Sequence, residues 1–275
     1  MIKLTRREIT KFSAAALTAP LLPGVSQAAG KRTLDYGPNH LDWYPAKSGG
    51  ANSPILIYVH GGAWALGNRG QVGAKARHFT RNGYHFASVS YTLFPAANAQ
   101  TQALQVAEAV NWIHANAARL GGDPNRIGLM GHSAGCHLSS LATLTGGAQP
   151  VKALICNDTR AYDLAFLANI NGGRLPVLYK APFTRRSMWA AWSPISYTGL
   201  QNQPPTLVAW SNGTGRDRVS KRFADALERD EVEVHRYDGK RQYNHVSIDR
   251  RLGSEKGRLT HAIDQFLDDV LNRTA

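Results

Sequence analysis

Short apolar runs and amphipathic segments alternate along most of the chain. Runs with the length and β-branched content of strands cover residues 33–36, 41–44, 54–59, 84–91, 126–130, 151–156, 205–210 and 231–237. Segments with helical periodicity cover residues 72–81, 102–120, 218–229 and 255–271. Because strand and helix alternate from residue 54 onward, we expect an α/β fold: a mostly parallel central sheet with helices on both faces.

The segment 102–120 has the clearest helical pattern. We expect its buried stripe to consist of Leu104, Ala107, Val110, Ile113, His114 and Ala117. Two glycines, an aspartate and a proline follow directly at 121–124, and this combination predicts the end of the helix.

Residues 158–203 interrupt the alternation of strands and helices. The segment contains a glycine pair, three prolines, and the tryptophans Trp189 and Trp192. We expect a short insertion over the carboxyl ends of the strands, which would form a partial lid or an acyl pocket. A plain connecting helix and loop is the alternative, because aromatic side chains in such a segment are as often core as substrate wall.

Composition narrows the class of protein without choosing a function. A length of 275 residues fits one α/β domain with short appendages, and no stretch of 18 or more apolar residues predicts a membrane span. The formal net charge is +13, but the cations are scattered and not interleaved with aromatic residues, which predicts a solvated basic surface and no nucleic-acid site. Cys136 and Cys156 are expected to be buried free thiols, with a disulfide as the alternative.

The first 28 residues have the features of an export signal. A twin arginine, Arg6-Arg7, precedes a mildly apolar stretch at 12–25 and a small-residue site at Ser26-Gln27-Ala28. The segment resembles a bacterial twin-arginine signal that is cleaved after Ala28. Two prolines in the apolar stretch argue against a stable membrane anchor. We therefore expect recognition by the twin-arginine export machinery, a folded domain at 29–275, and a periplasmic or secreted location. A basic N-terminal helix kept in the cytoplasm is the alternative.

Two motifs at strand ends carry the candidate chemistry. Gly131-His132-Ser133-Ala134-Gly135 is a G-x-S-x-G pentapeptide between a predicted strand and a helical segment, as a nucleophile elbow requires. His60-Gly61-Gly62-Ala63-Trp64 follows another predicted strand about 70 residues earlier, where an oxyanion loop would lie. Together the two motifs predict a serine hydrolase.

On these motifs the chain resembles the α/β-hydrolase superfamily, and within it the hormone-sensitive-lipase-like esterases and the related esterase–formamidase group. The resemblance extends over roughly residues 33–272. The further matching segments are Leu41-Asp42-Trp43-Tyr44-Pro45, Ser88-Val89-Ser90-Tyr91, Gly121-Gly122-Asp123-Pro124, Tyr162-Asp163-Leu164, Ser193-Pro194 and Asn244-His245-Val246-Ser247-Ile248. Two departures are Cys136, which stands where relatives often have a smaller residue, and an irregular segment around the expected acid.

The fold presents nucleophile, acid and base in that order, which limits the candidates. Ser133 is the expected nucleophile, and His245, between the last predicted strand and the last helix, is the expected base. Asp217 is the expected acid, because it is the only carboxylate in the loop after the strand 205–210. An ion pair of Asp217 at the surface is the alternative, with Asp163 and Asp158 as the fallback acids.

The oxyanion hole requires backbone N–H donors. Ala134 supplies one as the residue after the nucleophile, and the resemblance implies Gly62 and Ala63 as the others. Alanine at position 63 is compatible with this role if its φ is negative. Trp64 is expected to bind substrate beside the acyl site, with a core tryptophan as the alternative.

The expected function is hydrolysis of short to medium acyl esters. The motifs do not separate it from hydrolysis of a formamide of the kynurenine-formamidase kind, although export disfavours an intracellular substrate. A non-catalytic binding protein on a hydrolase fold is the third alternative, and the intact motifs argue against it. The histidines lack metal-ligand spacing, and no dinucleotide or phosphate motif occurs, so neither a metal nor a cofactor is expected.

Overall fold

The computed structural model describes residues 30–148, 150–200, 202–254 and 257–272. Its centre is an eight-stranded sheet in the order β1-β2-β4-β3-β5-β6-β7-β8. The strands are β1 Arg32–Tyr36, β2 Asn39–Tyr44, β3 Ser53–Val59, β4 His85–Val89, β5 Gly122–His132, β6 Val151–Asn157, β7 Thr206–Trp210 and β8 Val234–Asp238. β2 pairs antiparallel with β1 and with β4, and the other neighbouring strands pair parallel, so the expected α/β fold with a mostly parallel sheet is confirmed.

Helices cover both faces of this sheet. They are α1 Lys75–Arg81, α2 Ala99–Asn116, α3 Ala134–Leu144, α4 Leu164–Ile170, α5 Val177–Lys180, α6 Arg216–Arg229, α7 Ser247–Arg250 and α8 Arg258–Leu271. Short 3₁₀ turns occur at Ala118–Leu120, Arg186–Met188 and Pro194–Tyr197. Within the described ranges, no helix combines the length and the apolar character needed to cross a membrane.

Two apolar layers enclose the sheet because alternate strand residues point to opposite faces. Ile55 and Ile57 of β3 pack with α2, α3 and α6 on one face, whereas Leu56 and Tyr58 pack with α1 and α8 on the other. Cys136 and Cys156 lie in the first layer as buried free thiols, as expected from the sequence.

The buried stripe of α2 differs from the expected one. Val106, Val110 and Ile113 are buried, but Leu104 is 57% exposed and His114 lies at the surface. A repeat of three residues drifts around a helix that has 3.6 residues per turn, so Leu104 and Ile113 face opposite sides. The expected stripe therefore began on the wrong side of the helix.

The segment 158–203 joins β6 to β7 at the carboxyl edge of the sheet. It contains α4, α5 and two of the 3₁₀ turns. Parallel strands all end at this edge, where the loops after β3, β5, β6, β7 and β8 also meet. The candidate chemistry is therefore expected at this edge.

Candidate active site

Ser133 occupies the sharp turn between β5 and α3. Its φ of 55° and ψ of −117° form a backbone conformation that costs an ordinary residue about 1–3 kcal/mol. A Cβ at Gly131 would collide with the carbonyl of Gly135, and a Cβ at Gly135 would collide with the carbonyl of Val59. Both glycines therefore permit the close approach of strand and helix that holds Ser133 in this conformation.

A continuous chain of hydrogen bonds starts at the Ser133 hydroxyl. Ser133 Oγ donates to His245 Nε2 over 2.9 Å. His245 Nδ1 donates to Asp158 Oδ2 over 2.8 Å. An imidazole held in this way can accept the serine proton at Nε2, while the carboxylate stabilises the resulting positive charge. The structure thus brings Ser133 and His245 together, and it supplies an acid that was only a fallback in the sequence analysis.

The assignment of Asp217 as the acid is wrong. Asp217 lies in the first turn of α6, and its Oδ2 accepts a hydrogen bond from Lys240 Nζ over 3.1 Å. Burial is the largest single influence and raises the pKa of Asp217, but the hydrogen bond and charge of Lys240, with smaller contributions from Arg218 and Lys221, outweigh it and lower the pKa. Asp217 forms an ion pair near the surface, the alternative that its sequence context also allowed.

Asp163 is also excluded as the acid by its contacts. Its Oδ1 accepts the N–H of Phe166 over 2.9 Å and so caps the N-terminus of α4. Its Oδ2 accepts from Arg222 Nε over 2.9 Å. Both carboxylate oxygens are thus engaged in fixing the loop after β6 against α6.

Asp158 is fully buried and well supplied with donors. Ser211, directly after β7, donates its backbone N–H to Asp158 Oδ1 over 3.1 Å and its hydroxyl to Asp158 Oδ2. Arg216 Nη1 lies 3.2 Å from Oδ1. Burial alone would raise the pKa of Asp158, but the hydrogen bonds from His245 and Ser211 and the charge of Arg216 outweigh it and lower the pKa to about 2. Asp158 is therefore ionised at neutral pH.

The loop that carries His245 is fixed from two sides. His132 Nε2 donates to the His245 carbonyl over 2.9 Å. Just beyond His245, Asp249 of α7 accepts from Lys75 Nζ over 3.0 Å and from the Tyr58 hydroxyl over 3.0 Å. Since the Lys75 side chain is only 1% exposed, this ion pair is a buried anchor between α1 and α7. The imidazole is thus held against both the elbow and the acid.

The loop after β3 lies directly against the elbow. A Cβ at Gly61 would lie 3.1 Å from the Cβ of Ser133. The carbonyl of Gly62 accepts the N–H groups of Ala65 and Leu66, and this tight turn gives Gly62 a φ of 128°. Ala63 has a φ of 50°, so the negative φ under which an alanine would be unstrained at this position is not observed. Ala134 is the first residue of α3, where a backbone N–H has no intrahelical acceptor.

Trp64 lies in a buried aromatic cluster beside the elbow. Its ring makes edge contacts with Tyr179 at 5.2 Å and Phe183 at 4.7 Å between centroids. Its Nε1 donates to His137 Nδ1 over 3.1 Å, and His137 Nε2 donates to the carbonyl of Trp192 over 2.7 Å. Burial lowers the pKa of His137 to about 4, so this imidazole is neutral, and its two hydrogen bonds link the loop after β3, α3 and the 158–203 segment. Trp64 is 2% exposed, which matches the alternative of a core tryptophan.

Three side chains at the elbow also offer ligand atoms within 4.8 Å of one another: His132, Asp158 and His245. Hydrogen bonds already account for their arrangement, since both ring nitrogens of His245 are engaged by Ser133 and Asp158. The geometry fits a proton relay, which needs no ion.

One signal in the sequence could have identified Asp158. It directly follows β6, the strand between β5 and β7, so its side chain starts one strand away from Ser133. Carboxylates at the ends of parallel strands are candidates for the site whichever strand they follow. Arg216 and Ser211, which hold Asp158, carried no such signal because neither stands in a recognisable motif.

Comparison with known proteins adds sequence and structural relatives. The model of the BD-FAE family matches residues 41–220. Esterase LipQ of Mycobacterium tuberculosis (strain ATCC 25618 / H37Rv) is 31% identical over 214 residues, which are 68% of this chain and 50% of LipQ. A probable isoprenylcysteine alpha-carbonyl methylesterase of Arabidopsis thaliana, ICMEL2, is 33% identical over 148 residues, which are 50% of this chain and 35% of that protein. The chain thus spans half or less of the length of these relatives.

Solved structures share the architecture at lower sequence identity. A thermophilic esterase from the Planctomycetes species Thermogutta terrifontis superposes with a TM-score of 0.70 at 18% identity, covering 88% of this chain and 92% of the other. The carboxylesterase EstE1, cloned from a metagenomic library, gives a TM-score of 0.71 at 18% identity, with 88% of each chain covered. These neighbours confirm the α/β-hydrolase fold. The BD-FAE family model matches well over half of the length of this chain, so the chain belongs to the BD-FAE family.

Proposed function

We propose that this protein is a serine carboxylic-ester hydrolase that acts on short to medium acyl esters through an acyl-enzyme on Ser133. The observation that carries the proposal is the unbroken hydrogen-bond chain from Ser133 through His245 to Asp158. The names of the relatives, esterase for LipQ and carboxylesterase for EstE1, support the same chemistry.

In the proposed mechanism, His245 Nε2 takes the hydroxyl proton as Ser133 Oγ attacks the ester carbonyl. Asp158 keeps Nδ1 protonated and stabilises the imidazolium. His245 then gives its proton to the leaving alcohol, and the acyl-enzyme forms. Water repeats the same sequence against the acyl-enzyme, and Ser133 regains its proton as the acid product leaves.

Backbone N–H groups stabilise the negative charge that develops on the carbonyl oxygen in this proposal. The donors are Ala134, at the free N-terminus of α3, and Gly62 and Ala63, in the loop that lies against Ser133. Removal of one such donor costs about 3–4 kcal/mol in comparable enzymes. The left-handed φ of Ala63 is a local strain of the kind that accumulates at functional sites.

The aromatic cluster around Trp64 supports a preference for short acyl groups. Tyr179, Phe183 and Trp192 are buried and pack against Trp64 or one another, so the space beside the oxyanion loop is filled by protein. Each methylene that enters an apolar pocket gains about 0.8 kcal/mol until the pocket is full. Further carbons must then displace packed rings or remain in water.

We therefore expect the specificity constant to rise from acetate to roughly hexanoate and then to fall, following the limit on buried methylenes. Initial rates on nitrophenyl esters from two to sixteen carbons measure this profile, with Ser133→Ala protein as the control for background hydrolysis. A specificity constant that still climbs at twelve or sixteen carbons contradicts the short-pocket proposal. Rapid hydrolysis of N-formylkynurenine with negligible ester hydrolysis would replace the esterase by a formamidase.

We also propose that the protein is exported by the twin-arginine machinery and acts in the periplasm or outside the cell. Residues 1–28, which carry the proposed signal, lie outside the described residues. The support is the order of Arg6-Arg7, an apolar stretch and Ser26-Gln27-Ala28.

Replacement of both Arg6 and Arg7 by lysine is expected to retain full-length protein in the cytoplasm, because the export receptor reads the arginine pair and not its charge alone. Cell fractionation with N-terminal sequencing measures the outcome, and the exported wild-type chain should begin at Ala29 or within about two residues of it. Lys3→Arg, which leaves the pair intact, is the control. Exported protein that still begins at Met1 rules out the proposed cleavage.

A further inference from the structure

Exposed apolar side chains are concentrated around the opening of the site. In the described part of the chain, six large apolar side chains are at least half exposed. Four of them, Leu66, Val177, Leu178 and Val246, belong to segments that carry candidate site residues or pack against them. The other two are Leu104 and Leu200. Such clustering indicates an interaction surface, because exposed apolar side chains on a soluble protein are usually scattered.

Each of the four is tied to the site by its neighbours. Leu66 belongs to the oxyanion loop and donates its N–H to the Gly62 carbonyl over 2.8 Å. Val246 directly follows His245. Val177 and Leu178 begin α5, whose next residue, Tyr179, packs against Trp64. Val177 is 78% and Leu178 68% exposed, so they are among the most protruding of the set. We call these four residues the apolar rim.

The segment that carries α5 is also strongly basic. Between residues 164 and 203 the sequence contains no aspartate or glutamate, but it contains Arg174, Lys180, Arg185 and Arg186. All four cations are exposed, and none of them forms an ion pair with a described residue. The two aspartates just before this stretch are engaged elsewhere, Asp158 with His245 and Asp163 with Arg222. The rim is therefore bordered by cations without local neutralisation.

Charge and exposure together select the kind of partner. A second copy of this chain that presented the same face would bring the like charges of both copies together. An acidic polymer would be held by the cations but would gain nothing from burying Val177 and Leu178. A bilayer with anionic lipids satisfies both features, since its headgroups attract lysine and arginine while its acyl boundary accepts apolar side chains.

We propose that the apolar rim and the cations of α5 and the following turn dock this protein onto an anionic lipid bilayer, with the opening of the site facing the membrane surface. Leu66, Val177, Leu178 and Val246 enter the acyl boundary. Lys180 and the neighbouring arginines lie among the headgroups. This surface is separate from the hydrogen-bond chain of Ser133, so docking does not depend on catalysis.

The test is co-sedimentation of the full chain with vesicles of phosphatidylcholine alone, or with about a third of phosphatidylglycerol, at moderate salt, where surface charge still acts. We expect the anionic vesicles to bind at least about ten-fold more tightly. Because a cation near such a surface contributes about five-fold to binding, Lys180→Glu should weaken binding by ten-fold or more. Val177→Ser combined with Leu178→Ser should weaken it about ten-fold through lost apolar burial.

Two matched controls are available at other places in the fold. Leu104→Ser removes an equally large apolar side chain from α2, and Lys152→Glu makes the same charge change at the start of β6, on the opposite edge of the sheet. Neither should change binding by more than about two-fold if only charges within a screening length of the bilayer contribute. All variants carry the same residues 1–29, so any contribution of that segment cancels. Thermal unfolding of each variant verifies that it is folded.

The outcomes separate this proposal from the others. Equal losses in the rim variants and in their controls overturn it, as does equal binding to both kinds of vesicle. A loss with Lys180→Glu but not with the Val177 and Leu178 changes shows adsorption to the headgroups by charge alone, without entry of the apolar rim, and also overturns it. Ser133→Ala should bind vesicles like the wild type, so a failure of the esterase proposal leaves this test intact.

Discussion

Replacement of Ser133 or His245 by alanine is expected to lower kcat by about 10⁴-fold or more, because the hydroxyl is a poor nucleophile without a base and the base has no role without the hydroxyl. The two groups share one hydrogen bond of 2.9 Å, so they act as a unit. The double variant should therefore lose little more than either single variant. Initial rates on a nitrophenyl ester, with active-site titration of the wild type, measure the kcat of the two single variants and of the double variant.

A fluorophosphonate probe provides the control for this result. It should label the wild-type protein and fail to label Ser133→Ala, because only an activated serine attacks it. Losses that simply multiply in the double variant would show that the two side chains do not act together. A wild-type protein that neither hydrolyses esters nor reacts with the probe is a non-catalytic binding protein on this fold.

Asp158→Asn is expected to reduce kcat by about 10³–10⁴-fold, whereas Asp217→Asn should leave it within about two-fold of the wild type. An amide at 158 keeps the shape but removes the charge that stabilises the imidazolium, and it favours the tautomer with the proton on Nε2. Asp217 contacts Lys240, which belongs to a surface ion pair worth little in water. The same ester assay compares the two variants directly.

A stability measurement is the control for the loss of activity in Asp158→Asn, because Asp158 is buried and hydrogen-bonded. The asparagine variant has a single acceptor oxygen, so it can accept at most one of the two hydrogen bonds that Ser211 donates to Asp158, and it loses the ionic contact with Arg216. Its free energy of unfolding should therefore be measured by urea denaturation alongside the rate. If Asp158→Asn remains folded and active while Asp217→Asn is inactive, the acid assignment from the structure fails.

The sequence was sufficient to predict the sheet and two members of the site. Apolar strand runs separated by helical segments require a parallel sheet, and G-x-S-x-G between a strand and a helix requires a strained turn at Ser133. The position of His245 between the last predicted strand and the last helix was enough to predict it as the base. These features depend on local patterns and on chain order, both of which can be read directly from the residues.

The acid could not be predicted in the same way because its position depends on distances across the sheet. Asp217 stands after β7, where chain order favoured it, but it lies in the first turn of α6 and its side chain contacts Lys240. Asp158 reaches His245 because β6 lies between β5 and β7. Similarly, Leu104 is exposed because α2 has 3.6 residues per turn, so a stripe predicted with a period of three does not stay on one face of the helix.

The hydrogen bond between Ser211 and Asp158 shows which positions in this fold can place an acid beside His245. Ser211 directly follows β7 and Asp158 directly follows β6, and a single carboxylate oxygen of Asp158 contacts both the Ser211 hydroxyl and His245. The ends of both strands thus lie next to one imidazole, and Arg216 lies close enough to balance a negative charge there. A carboxylate at either strand end would lie beside the same imidazole, so this fold constrains the position of the acid less tightly than it constrains the turn that carries the serine.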